Sequence, residues 1–264
     1  MNGYELMRVV MTKPIKSFWP CSRSVCALIL AWGLHEGIPG AHAYEGDPAT
    51  TGVTVSGRVS FSGTVPKSDR LPVHRDSAFC GESVTIETLH LDPGTRGVED
   101  VVVSLEGITK GKPVVPEKAG ITFENRTCKF IPRVKATNAE STLEIKNADP
   151  ILHNTHVRHD NRFGPTVINV VQPAGTSVIR RPLHITGLLD IRCDAHTFMH
   201  AAFHVFEHPY FSMTDSTGRF ELTEVPPGTY KVRIWHETLG SRTRTITVPA
   251  TGSVTLNLEI SQEE

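Results

Sequence analysis

Seven consecutive residues, Cys193-Asp194-Ala195-His196-Thr197-Phe198-Met199, constrain this chain more than any other stretch. They follow an apolar, strand-like run from Gly187 to Arg192 and gather a thiol, an imidazole and a thioether into one short loop. Cys and His give strong in-plane bonds to copper and Met a long, weak axial one, so the loop reads as one side of a mononuclear copper site. Such a site needs a second imidazole, supplied by a distant strand. Asp149-Pro150-Ile151-Leu152-His153-Asn154 offers the best candidate, His153. A lone Met or buried Cys is ordinarily core filling, so the joint spacing carries the reading; the bland alternative is a buried Cys193 thiol with Met199 packed beside it.

The rest of the chain has to supply a framework of strands. Its 264 residues suffice for one large or two ordinary domains. With 27 Lys+Arg against 28 Asp+Glu, nothing points to nucleic acid or an anionic surface as partner. Short Val, Thr and Ile runs broken by Gly and Pro predict an all-β protein. Residues 1–43 read as an export signal: Arg8, Lys13, Lys16 and Arg23 precede an apolar core from Cys26 to Leu34, and Ala41-His42-Ala43 is a small-x-small cleavage site. An uncleaved anchor is the alternative. Cleavage before Tyr44 leaves a mildly acidic protein with no membrane span, in the periplasm or secreted. It also leaves Cys80, Cys128 and Cys193. In an oxidising compartment an odd Cys is reactive or occupied, which predicts a Cys80–Cys128 pair and a Cys193 thiolate protected by metal.

Along the chain, Thr51 to Pro66 alternates as an edge strand or hairpin, Ser68 to Glu82 reads as a loop, and Val84 to Leu91 and Val98 to Leu105 as a strand pair. Lys110 to Pro113 looks like a linker. Strands are expected around Ile121 to Phe123, Cys128 to Val134, Thr142 to Asn147, Ser177 to Arg181, Gly187 to Arg192 and Ala201 to Phe206, with Phe163 to Ala174 as a loop. Strand alternation puts His153 and Thr155 on one face and His156 on the other. His200, His204 and His208 recur every four residues; on a helix that would make a metal face, whereas on a strand it reads as the wet side.

The run Phe130-Ile131-Pro132, the strand ending Asn147-Ala148-Asp149, His153 followed by Asn154, and the Cys-x-x-His-x-x-Met loop resemble the small blue copper proteins, the cupredoxins, in their short amicyanin-type form. The resemblance implies a Greek-key β-sandwich over 113–206. It also implies one type 1 copper ion held by His153, Cys193, His196 and Met199, and an Asn154 side chain tying the two ligand loops together. His156 stays open as the alternative to His153. The family's usual electron exit is the solvent-facing edge of the loop His, here His196, in an apolar patch. Thr197 replaces the Pro of the amicyanin type, and Asp194 and His200 make that patch more polar.

Thr214 to Glu237, TDSTGRFELTEVPPGTYKVRIWHE, resembles a second family, the carboxypeptidase regulatory-like (transthyretin-like) β-sandwich. Asp215, Gly218, Pro226, Pro227 and Gly228 are turn formers, and Phe220, Leu222, Tyr230, Val232 and Ile234 alternate as one buried face. A tail of about 50 residues is short for a sandwich of about 70 to 100. Gly57-Arg58-Val59 and Val101 to Leu105 match the family's opening strands, which implies nesting: residues 44–112 and 207–264 form one sandwich, with the cupredoxin domain 113–206 inserted.

The expected function is an exported copper protein carrying single electrons, not an enzyme. Arg192 and Asp194 flank Cys193 where an oxidase would need His, no His-x-His pair accompanies it, and no nucleophile motif or phosphate loop occurs. Its partner would be a redox protein, a cytochrome or a dehydrogenase. Copper storage or delivery is one alternative; a secreted β-sandwich module binding carbohydrate or another ligand is the other.

Overall fold

The computed structural model describes residues 43–86, 89–117 and 119–262. The export signal expected over 1–43 lies outside the described residues, save Ala43. Among the described residues the regular elements are β-strands, apart from one helical turn at Ser77–Cys80. No helix among them is long and apolar enough to cross a membrane.

One sandwich is built around Val53–Phe61, whose inward residues Val53, Val55, Val59 and Phe61 are all buried. The sequence pattern suggested an edge strand or hairpin here. The strand is instead central, antiparallel to Arg219–Val225 on one side and parallel to Ser253–Thr255 and Leu258–Ile260 on the other. Gly57 permits this: a Cβ there would lie 1.8 Å from the Leu256 carbonyl oxygen, so only a residue without a side chain fits. The facing sheet runs Phe211–Met213, Val102–Glu106, Gly228–His236, Gly240–Val248. Val103, Leu105, Phe220, Leu222, Val232 and Ile234 fill the space between the two sheets. Fully buried Tyr210 closes one end; its hydroxyl accepts from the Lys112 amide (2.8 Å) and donates to the Glu224 carbonyl (3.1 Å). Strands from both sides of residues 113–206 therefore share these sheets.

The second sandwich has a four-stranded sheet, Ile179–Pro182, Thr142–Asn147, Ile121–Arg126, Lys129–Ile131. Its five-stranded partner runs Thr166–Gln172, His153–His159, Gly187–Arg192, His200–Phe206, Val134–Asn138. Phe123, Leu143, Ile145, Ile191 and Phe203 form the core. Two segments read as loops contain strands. Thr166–Gln172 pairs with His153–His159 at the sheet edge and leaves Val171 59% exposed, so its apolar pattern does not alternate cleanly. Asp69–Pro72 pairs with Ser83–Ile86 in a hairpin that also holds the Ser77–Cys80 turn.

The histidine face of His200–Phe206 is not wet, contrary to the strand reading. It packs on the first sandwich: His204 is 7% exposed with its ring 4.4 Å from Trp235, and Phe206 stacks on Phe211 at 4.7 Å. Val102, Val134 and Ala136 complete this apolar seam. An ion pair between Arg133 and Glu237 (2.5 Å) lies beside it. His204 Nε2 is buried without a hydrogen-bond partner.

Burial depresses His204, His208 and His236 from 6.5 to about 4. These imidazoles are neutral when folded, and the unfolded chain binds the extra protons. Their contribution is complete above pH 6.5 and is lost as pH falls towards about 4. Urea unfolding midpoints should therefore drop between about pH 7 and about pH 4.5. His204→Phe, which keeps a ring on Trp235, should retain on the order of 1 kcal/mol more than the parent at the acid end.

Candidate metal centre

The ligand loop is set by the strands that flank it. Gly187–Arg192 and His200–Phe206 pair antiparallel with Arg192 opposite His200, so residues 193–199 must turn back within seven positions. The Met199 amide donates to the His196 carbonyl (2.9 Å) and the Cys193 amide to the Met199 carbonyl (3.4 Å). This closure brings Cys193 and His196 together, with buried Met199 at the end of the loop. On the other side of Gly187–Arg192, His153–His159 pairs with it and starts at His153. The Asn154 amide reaches the Cys193 sulfur (3.4 Å) across that boundary.

All four side chains are withdrawn from solvent: His153 is 0%, Cys193 1%, His196 1% and Met199 2% exposed. Cys193 Sγ lies 3.6 Å from His196 Nδ1 and 3.9 Å from His153 Nδ1. The imidazole rings are 4.7 Å apart. Metal bonds of about 2.0–2.3 Å meeting near the tetrahedral angle put donor atoms about 3.3–3.8 Å apart, close to these separations, so one ion can sit between these three. A soft thiol beside two imidazoles suits copper.

Each imidazole is held from behind by a carboxylate. His153 Nε2 meets Asp149 Oδ2 at 2.9 Å, and His196 Nε2 meets Asp76 Oδ2 at 3.0 Å. With Nε2–H donating outward in both rings, both Nδ1 lone pairs face the thiol. The Thr127 (2.6 Å) and Cys128 (2.9 Å) amides both donate to the Asp149 carboxylate, which fixes it in turn. Asn154 joins the two ligand segments: its Oδ1 accepts from the Asp194 amide (2.6 Å) and its Nδ2 donates to Asp194 Oδ2 (3.0 Å).

Burial pushes the Cys193 thiol up, against the pull of the Asn154, His196 and Ala195 amides. Burial also pulls His153 down, and neighbouring His196 adds to that. Both groups therefore rest neutral, and a metal ion taken up here displaces the Cys193 proton.

His156 is not brought into the cluster. It faces the other way, with Nδ1 2.9 Å from Asp194 Oδ2 and Nε2 2.8 Å from Thr166 Oγ1. Cys128, Asp149 and His153 also lie close together, but Cys128 is joined to Cys80 by a disulfide of 2.02 Å and offers no thiolate. The family-derived expectation of a solvent-facing His196 is overturned. Its outer edge is covered by Asp76, from the hairpin region of the first sandwich, and Phe198 packs 5.8 Å from its ring. Asp76 escaped the sequence reading because it stands 120 positions before its partner.

No curated protein matches the chain in sequence. Residues 206–261 match the carboxypeptidase regulatory-like domain. Among solved structures, a copper-containing nitrite reductase from Thermus scotoductus is similar at 19% identity and TM-score 0.30, over 38% of this chain and 24% of its own length. Amicyanin from Paracoccus versutus is similar at 13% identity and TM-score 0.29, over 39% of this chain and 97% of its own. A purple cupredoxin from Nitrosopumilus maritimus is similar at 14% identity and TM-score 0.28, over 32% of this chain and 98% of its own. The chain is all-β; part of its first sandwich, residues 206–261, matches the carboxypeptidase regulatory-like domain, and cupredoxins are among the solved structures similar to it.

Proposed function

We propose that this protein is an exported type 1 copper protein carrying single electrons, in which domain 113–206 is inserted into a sandwich formed by 44–112 and 207–264. One observation carries the reading: a thiol and two imidazole Nδ1 atoms converge at 3.6 and 3.9 Å in a site withdrawn from water. Copper bound there supplies a one-electron couple whose two oxidation states share nearly one geometry. The chain's part is to hold that geometry. Asp149 and Asp76 lock the two rings, the amide of Asn154 steadies the sulfur, and buried Met199 provides the weak fourth ligand. The ligand set leaves no open position for a substrate, which supports a carrier rather than an enzyme. Its partner is a second redox protein, a cytochrome or a dehydrogenase, meeting it through a small transient contact. The Cys80–Cys128 disulfide supports an oxidising location, periplasmic or secreted.

The covered edge of His196 favours a second reading, copper storage or delivery, in which slow exchange is an advantage.

Titration of the protein with Cu(II) should produce an intense visible thiolate-to-copper band and narrow EPR hyperfine splitting. Cys193→Ser should abolish both, and so should His153→Ala, whereas His156→Ala should leave the band. Weak, ordinary Cu(II) spectra unaffected by Cys193→Ser would sink the copper reading. A colourless protein that nonetheless holds Cu(I) tightly would favour storage over electron transfer. Copper should also raise the urea midpoint, by about 2.7 kcal/mol in stability at a free concentration about 100 times Kd, and Cys193→Ser should cancel the gain.

A further inference from the structure

The segment 69–86 leaves the first sandwich and lies across the ligand loop of the second. It has little core of its own. Asp69 to Pro72 are exposed, the Ser77–Cys80 turn buries no residue, Phe79 is 42% exposed, and only Val73 is buried. Two links fasten it down. One is covalent, Cys80 to Cys128. The other is the contact from Asp76 to His196 Nε2 at 3.0 Å. No other hydrogen bond or ion pair joins 69–86 to the second sandwich among the described residues. A cavity of about 200 Å³ is lined by Val84, Thr85 and Ile86 of this segment together with Phe198, Met199 and His200.

Asp76 is shaped for this contact rather than for its own turn. It occupies the N-cap position of Ser77–Cys80 with φ 55°, a left-handed backbone that Asp adopts more readily than most residues. A carboxylate at that position ordinarily accepts from the first turn's amides. Here it makes no capping bond and is turned onto the imidazole instead.

We propose that residues 69–86 are a hinged lid over the outer edge of the metal centre, tethered by Cys80–Cys128, with Asp76 as the positioning residue that closes it on His196. A segment with few buried contacts opens at low free energy, so the tether and the Asp76 contact set how often that edge is reached. Insofar as it concerns electrons or copper, this rests on the metal-centre reading. Both would then pass the His196 edge only when the lid swings away.

The test uses metal-free protein, so its result is readable even if the copper reading fails. Diethyl pyrocarbonate acylates accessible imidazole nitrogens, and peptide mass mapping gives a rate for each histidine. Exposed His74 is the fast reference and fully buried His153 the slow one. His196 should react at least about tenfold more slowly than His74 in the parent protein. It should accelerate by about tenfold in the Cys80→Ser/Cys128→Ser double variant and in Asp76→Ala, with His153 still unreactive. A parent His196 as fast as His74 overturns the lid. So does an unchanged His196 rate in both variants. If the double variant loses its fold, seen as a rise at His153, Asp76→Ala with its disulfide intact decides by the same criterion.

Discussion

Two hydrogen bonds between a carboxylate and an imidazole, Asp149 to His153 and Asp76 to His196, decide what the centre of this molecule can be. An imidazole in a dry core has two nitrogens to satisfy, and the partner of one dictates the role of the other. Both outer nitrogens are taken, so both inner ones face a buried sulfur. For His153 the chain of causes is local. Thr127 and Cys128 turn with positive φ of 50° and 58° between Ile121–Arg126 and Lys129–Ile131, which aims their amides at Asp149. For His196 it is not local at all, since Asp76 stands 120 positions earlier, in the hairpin segment that leaves the first sandwich.

The two sandwiches are therefore more than neighbours on a string. His200–Phe206 is packed on both faces: Ala201, Phe203 and Val205 line the core that also holds Cys193, while His204 and Phe206 pack towards Trp235 and Phe211. His200, next to Met199, bonds Asp190 at 3.1 Å and approaches Glu237 at 3.7 Å. The far end of the ligand loop is thus fastened to the first sandwich through Glu237, and its middle to the 69–86 hairpin through Asp76. Conformational freedom that the loop would have as part of an isolated domain is restricted at its middle and at its far end.

What was legible in the sequence was what is local. Cys193, His196 and Met199 share one loop, and His153 could be picked from the order of strands and from Asn154 beside it. The Asp215 to Gly218 turn and the alternation of Phe220 with Leu222 likewise announce their strands. What was illegible depends on what lies across a gap in sequence. The pattern of His200, His204 and Phe206 is the same whether the outer face meets water or a second sheet, because imidazole and aromatic rings suit both. Val53–Phe61 looked like an edge because the strands that flank it, Arg219–Val225, Ser253–Thr255 and Leu258–Ile260, come so much later. The burial of His196 could not be read from its loop, since the covering carboxylate lies in a segment with no core pattern of its own.

The pairing of Val53–Phe61 with the strands at Ser253–Thr255 and Leu258–Ile260 has a consequence in time. The Arg58 amide finds its partner, the Asn257 side chain, 199 positions later. A ribosome making this chain from its N-terminus releases Val55 and Val59 long before the strand that covers them exists. The stretch between can collapse first, since its own contacts are nearer in sequence and close faster. The second sandwich, whose strand pairings all fall between residues 121 and 206, does not depend on those late strands. Closure of the first sandwich has to wait for those late strands, so the cover they give Val55 and Val59 is made at the largest separation in the described chain.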